Sequence, residues 1–274
     1  MNKTTDTPLE AVLRRDGLIV ATSIAALTML AWAYVLRLAA GMNMGGMDMM
    51  GYRMIPNGFE MAMAPAQQAW TVGDFVLMFV MWTVMMIGMM TPSAAPMILI
   101  YARTGRMAAA SARPFAATGW FVTGYLAVWS GFALAATTAQ WALERLALLN
   151  PDMASTNNVL GGAILIAAGL YQWLPLKHAC LSQCQSPLLF IQRFGGFHRD
   201  ATGACKMGAM HGVYCLGCCW ALMALLFVGG VMNVLWIAAL AIFTLTEKLI
   251  STGRLLSRVA GIGLLAAGLR LLVT

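Results

Sequence analysis

An all-α, polytopic transmembrane helical bundle of about seven spans is the fold this sequence predicts, on three observations. Only 10% of its residues are charged while 61% are hydrophobic, against roughly 25% charged in an ordinary soluble domain. The apolar residues fall in continuous runs, close to the roughly 20 residues that cross a hydrocarbon core of about 30 Å. These runs are Leu-, Ala- and Met-rich and do not alternate, which excludes the short strands of a membrane barrel.

The first run, 18–39, follows Arg14 and Arg15. It is longer than the roughly 7 to 15 apolar residues of a signal peptide, so it reads as a retained anchor. Further spans are expected at 74–97, 116–139, 159–174, 209–228, 231–247 and 257–273. The fourth, sixth and seventh are short, and Gly229-Gly230 leaves so little chain between the fifth and sixth that they must form a hairpin. Six spans is therefore the alternative count. The largest connections are an outer one at about 40–73 and an inner one at about 175–208, and no soluble domain is expected.

Charge gives the orientation. The net charge is +7, which in a soluble protein would suggest nucleic acid. Here the basic residues sit in connections between apolar runs, so no nucleic-acid partner is expected and the lipid bilayer is the surrounding partner. With the N-terminus inside, only Arg37, Arg53, Arg145 and Arg270 of the 17 Lys and Arg lie outside or at an outer end. The positive-inside rule then predicts N-in, C-out.

The chemistry-bearing residues are mostly sulfur, with 23 Met and 6 Cys in 274 residues. The outer connection opens with Met42, Met44, Met47, Met49 and Met50, interleaved with glycines and Asp48, and continues through Met54, Met61 and Met63. Thioethers bind Cu(I) without losing a proton, so this cluster is a candidate copper-capturing set; a flexible interfacial loop touching lipid is the alternative. In the second span Met78, Met81, Met85 and Met89 recur at helical spacing within an arc of roughly 80°, with Met86 and Met90 beside it. Such a stripe serves either as packing or as ligands. Pro92 and Pro96 follow, and are expected to disturb the helix and free carbonyls near Gly88 and Pro92, marking either a pathway or a packing kink.

The fifth span is the most informative. His211, Cys215 and Cys218 stand at i, i+4 and i+7, within roughly 60° around the helix, with Met207 before them and Cys219 beside. Three sulfur donors without matching carboxylates suit a soft metal better than magnesium or calcium. If the two helices run in opposite directions, Met86–Met90 and Cys215–Cys219 lie at similar depth, and thioethers would meet thiols. The inner connection adds Lys177, His178, Cys180, Cys184, His198 and Cys205, a less specific second or exit site in which Cys180 and Cys184 could share a metal. Of two isolated acids, Asp74 is placed to cap its helix or draw cations in, and Glu247 to pair with a neighbouring base.

No P-loop, H-E-x-x-H, G-x-S-x-G or P-type ATPase signature is present, so an ATP-driven pump is not expected, and the reading leans away from an enzyme while leaving thiol chemistry open. The runs W82-TVMMIGMMTPSAAPM-I98, L176-KHACLSQCQSP-P187 and H211-GVYCLGCCWALM-M223, followed by G230-VMNVLW-W236 and Glu247-Lys248, resemble a bacterial family of predicted metal-binding integral membrane proteins of unknown function. The resemblance covers about 72–270 and rests chiefly on the Cys-Leu-Gly-Cys-Cys-Trp core. It implies a multi-pass protein of the bacterial inner membrane that binds metal through Cys, His and Met.

The expectation is thus a copper-binding membrane protein. It would take Cu(I) at the outer Met residues and hold or relay it at the intramembrane Cys/His/Met site, for copper uptake or cuproenzyme assembly, with a copper chaperone or cuproenzyme subunit as partner. Residues 1–73 would form an anchor and Met-rich loop, and 74–274 a six-helix metal-binding domain. The alternatives are a membrane thiol-disulfide oxidoreductase using Cys215, Cys218 and Cys219 with Cys180 and Cys184, and a structural subunit without metal.

Overall fold

The computed structural model describes residues 8–42, 52–65, 69–108, 114–150, 153–250 and 252–273. It is 82% helical. The helices are α1 (Pro8–Met42), α2 (Val72–Ala108), α3 (Pro114–Arg145), α4 (Asn158–Tyr171), α5 (Pro175–Gln185), α6 (Pro187–Arg193), α7 (Ala201–Ala224), the single turn α8 (Leu226–Gly229), α9 (Val234–Leu249) and α10 (Gly253–Val273).

Among the described residues, the fold departs from all-α at a β-hairpin and at an isolated bridge between Leu149 and Ser155. Strands β1 (Tyr52–Asn57) and β2 (Glu60–Pro65) pair antiparallel from Tyr52 opposite Pro65 to Asn57 opposite Glu60. Gly58, at φ +66°, leads the two-residue turn between them. Glycine supplies the positive φ that such a tight hairpin needs at its first turn position. Part of the expected outer loop is therefore ordered strand, with Met54 buried and Met63 opposite it at the surface.

Among the described residues, five helices are long and apolar enough to cross a membrane: Gly17–Gly41, Val72–Gly105, Ala117–Arg145, Ala201–Gly229 and Gly253–Val273. Asn158–Tyr171 and Pro175–Gln185 make a sixth only if the pair, bent by 65°, counts as one span. Reaching the expected seven requires adding α9, which has just 16 residues.

The connection expected on the inner side, 175–208, is largely helical rather than a loop. Pro175 opens α5 and Pro187 opens α6, since proline's fixed φ suits a first helical turn and its missing N–H costs nothing there. Helix α5 packs on α7, which moves its cysteines from an expected loop to the bundle interior.

At the N-terminal end of α2, Thr71 and Asp74 cap each other. The Thr71 N–H donates to Asp74 Oδ2 at 2.8 Å and the Asp74 N–H to Thr71 Oγ1 at 3.2 Å. These bonds satisfy donors that a helix start otherwise leaves unpaired. The capping role expected of Asp74 is thus observed.

Pro92 and Pro96 sit inside a continuous α2 rather than at a break. Pro92 has no N–H for the carbonyl of Gly88, and Trp32 of α1 replaces it, its Nε1 donating to Gly88 O at 3.2 Å. The Gly88 backbone is accessible because a Cβ there would come within 3.3 Å of the Ala31 methyl. Trp32→Phe keeps most of the ring and removes the donor. It is expected to cost about 1 kcal/mol, read as a lowered Tm of the detergent-solubilised protein, and an unchanged Tm would mean that the carbonyl is satisfied otherwise.

The core gathers around α2, α3 and α7, with Trp82, Tyr101, Phe121, Tyr125 and Trp129 buried. Trp82 Nε1 donates to the fully buried Gln140 Oε1 at 2.7 Å, and Gln140 Nε2 to Glu144 Oε1 at 3.0 Å. The first bond ties α2 to α3, and the second orients Gln140 within α3.

Candidate metal centre

Helix α7 carries the centre, and its start is well defined. The Gly203 N–H donates to the N-cap Asp200 carboxylate at 2.6 Å, and this bond holds the exposed Asp200 carboxyl below its ordinary pKa. Two turns later α7 presses backbone to backbone against α3. A Cβ on Gly208 would lie 1.9 Å from Phe121 O, and one on Gly124 would lie 2.0 Å from Cys205 O. Only glycines permit that approach, which follows the small-residue logic of helix pairs in membranes.

The approach delivers Tyr125 to the thiols. Its hydroxyl donates to Met90 O at 3.1 Å and stands 3.1 Å from Cys215 Sγ. Within α7, Cys218 Sγ and Cys219 Sγ both donate to Cys215 O, at 3.0 and 2.9 Å. From α2, Met90 Sδ lies 4.0 Å from Cys219 Sγ. From α5, Cys184 lies near enough to Cys215 and Cys218 to interact with them electrostatically. The Cys180 sulfur packs over Gly217, 2.8 Å from where a Cβ would stand. Three helices thus bring sulfur to one place, and all six cysteines are free thiols.

The other expected site residues divide sharply. Met85, Met86 and Met89 are buried beside Met90 in α2. His211 is buried among rings, with centroids 5.3 Å from Phe190 and 5.8 Å from Tyr125, and its Nδ1 has no hydrogen-bond partner. His178 is half-buried with neither ring nitrogen partnered. Met42 ends α1, but its side chain and all of Met44, Met47, Met49 and Met50 lie outside the described residues. Among the described residues, no three His, Cys, Asp or Glu side chains converge in a group that could hold a metal ion.

Two buried lysines, Lys177 and Lys248, stand beside the expected site residues. Glu247 does not pair with its sequence neighbour. Its carboxylate accepts from Lys177 Nζ of α5 at 2.8 and 2.9 Å and from Ser257 Oγ of α10 at 2.5 Å, and Lys177 also donates to Gln172. This network pins α5 in place beneath the thiols. Lys248, on the other side of α9, points its Nζ at Cys215 Sγ, 3.0 Å away, and at Ser93 Oγ, 2.8 Å away. Lys248 stands at the end of the apolar run 231–247 and is nevertheless buried, and a buried charge is rarely placed without a task.

Fold and site together define a helical bundle with several helices apolar enough for a membrane and a buried, sulfur-rich centre assembled from α2, α5 and α7. The chain belongs to the PpoB2 copper chaperone family, whose profile matches residues 79–271. The match takes in Met85–Met90, Cys180, Cys184 and Cys215–Cys219, and leaves α1 and the hairpin outside. No curated protein and no solved structure matches the chain.

Proposed function

We propose that this protein is an integral membrane copper chaperone that holds Cu(I) on the thiols of α7, with Met90 as a thioether ligand. The carrying observation is the 4.0 Å separation of Met90 Sδ from Cys219 Sγ, with Cys184 arriving from a third helix. Two metal–sulfur bonds of about 2.3 Å each can bridge such a gap, and thiolate with thioether is the donor set that favours Cu(I). His211 stands one turn from Cys215 with its Nδ1 unpartnered and is a further ligand or gate. Met42, Met44, Met47, Met49 and Met50 would capture copper on the outer side, and His178 and Cys180 would lie toward an inner exit. Ligand exchange along soft sites needs no nucleotide, and the cargo would enter the cell or pass to a cuproenzyme under assembly.

The test is Cu(I) titration of the reduced, purified full-length protein against a competing chelator, with X-ray absorption on the loaded sample. At least one Cu(I) per chain in a sulfur-dominated shell is expected. Protein isolated with a Cys184–Cys215 disulfide and no copper uptake would sink the reading in favour of thiol-disulfide chemistry. Met90→Leu conserves volume, which keeps the structural cost below about 1.5 kcal/mol. It is expected to weaken Cu(I) binding about tenfold, roughly 1.4 kcal/mol, and unchanged affinity would remove Met90 from the ligand set.

Orientation belongs to the same proposal. Reporter fusions should place both 1–7 and the 194–200 segment inside and residue 274 outside. A reporter at 194–200 that is active only outside would reverse the direction of the route.

A further inference from the structure

Lys248 is 6% exposed, and a buried ammonium is costly unless something compensates it. Its partners are a hydroxyl and a thiol, Ser93 Oγ and Cys215 Sγ. Among the described residues it meets no carboxylate, because the adjacent Glu247 carboxylate is engaged by Lys177 and Ser257. Lys248 also lies in the last turn of α9, where the helix's carbonyl end favours a cation. A fixed positive charge therefore stands in contact with the thiol cluster, and it is not needed to balance any acid of the fold.

We infer that Lys248 makes this centre selective for a monovalent soft ion. The inference rests on the reading of the thiols as ligands and adds the choice of cargo. Two thiolates around Cu(I) or Ag(I) carry a net charge of −1, and a methionine thioether adds none. With the Lys248 ammonium the assembly is neutral, the form that a low-dielectric interior tolerates best. Two thiolates around a divalent ion are already neutral, and the same lysine leaves the assembly at +1. Softness alone does not make this distinction, since cadmium and silver are both thiophilic. One unit charge a few ångströms away, at an effective dielectric near 20, separates the two cases by about 100-fold or more.

The experiment compares Ag(I) alone with Cd(II) alone on the reduced full-length protein in detergent. Protection of Cys215 and Cys218 from alkylation is read by mass spectrometry at increasing metal, with a free dithiol titrated in parallel. The expected ratio of Ag(I) to Cd(II) affinity exceeds that of the free dithiol by about 100-fold. In Lys248→Met it should fall back toward the dithiol value, with Cd(II) binding gained as well as Ag(I) binding lost. Lys248→Arg, which retains the charge, should keep most of the preference. A wild-type ratio equal to that of the dithiol overturns the inference with no variant needed. So does an unchanged ratio in a folded Lys248→Met protein. Failure of the underlying reading looks different, because neither metal would then protect Cys215 or Cys218 in the wild type.

Discussion

Gly208→Ala is expected to destroy the fold around the centre, although it adds a single methyl group. The new Cβ would stand 1.9 Å from the carbonyl oxygen of Phe121, on backbone that no rotamer change can move. Helices α3 and α7 would have to separate by more than an ångström, losing the packing along their length and the contact of Tyr125 with Cys215. Overpacking usually costs about 1 to 3 kcal/mol, and a clash with backbone belongs at or above the top of that range. Against a total stability of about 5 to 15 kcal/mol, such a loss should appear as a collapsed yield of monodisperse protein and a strongly lowered Tm. Gly119→Ala and Gly131→Ala in α3 are the controls, since a Cβ at either meets nothing within 4 Å. Both should be neutral or slightly stabilising, as alanine outranks glycine in a helix. A Gly208→Ala protein that melts within a degree or two of wild type would show that the helices are not held this close.

The second large effect is functional. Cys215→Ser combined with Cys218→Ser keeps nearly the same side-chain volume and replaces soft sulfur by a hard hydroxyl. Loss of residues that merely support ligands costs about 10 to 100-fold in metal affinity, so loss of two ligands should exceed that, on the order of 1,000-fold for Cu(I). The fold should survive, because both positions are buried where a hydroxyl can still donate to the Cys215 carbonyl as the Cys218 thiol does now. Copper affinity is measured beside far-UV circular dichroism to separate the two effects. Undiminished Cu(I) binding in a folded double variant would move the site to Cys184, Cys219 or the outer methionines.

Much of this architecture was legible in the residues. Continuous apolar runs can only be helices at these lengths, because backbone groups out of water must pair within their own segment, and α1, α2, α3, α7 and α10 appear where the runs lie. The alignment of Cys215 and Cys218 on one face of α7 follows from helical periodicity alone. The paired Thr71 and Asp74 cap follows from local bonding. Turn chemistry was also present, in Gly58 between two short runs, but strands of only six residues carry no apolar run of spanning length.

Composition and periodicity by themselves determined a sulfur-rich helical bundle and the residues on each helix face, since both depend on interactions within a few residues of chain. Which faces meet was decided only in three dimensions. Cys184 is brought near Cys215 and Cys218 because the chain turns by 65° after α4 and α5 packs on α7. Glu247 ignores its neighbour Lys248 and binds Lys177, 70 positions away, because adjacent helical residues point about 100° apart. Lys248 is thereby turned toward the thiols. Such pairings depend on which buried charges and close-packed glycines are compatible across helices, a long-range condition that no local pattern encodes.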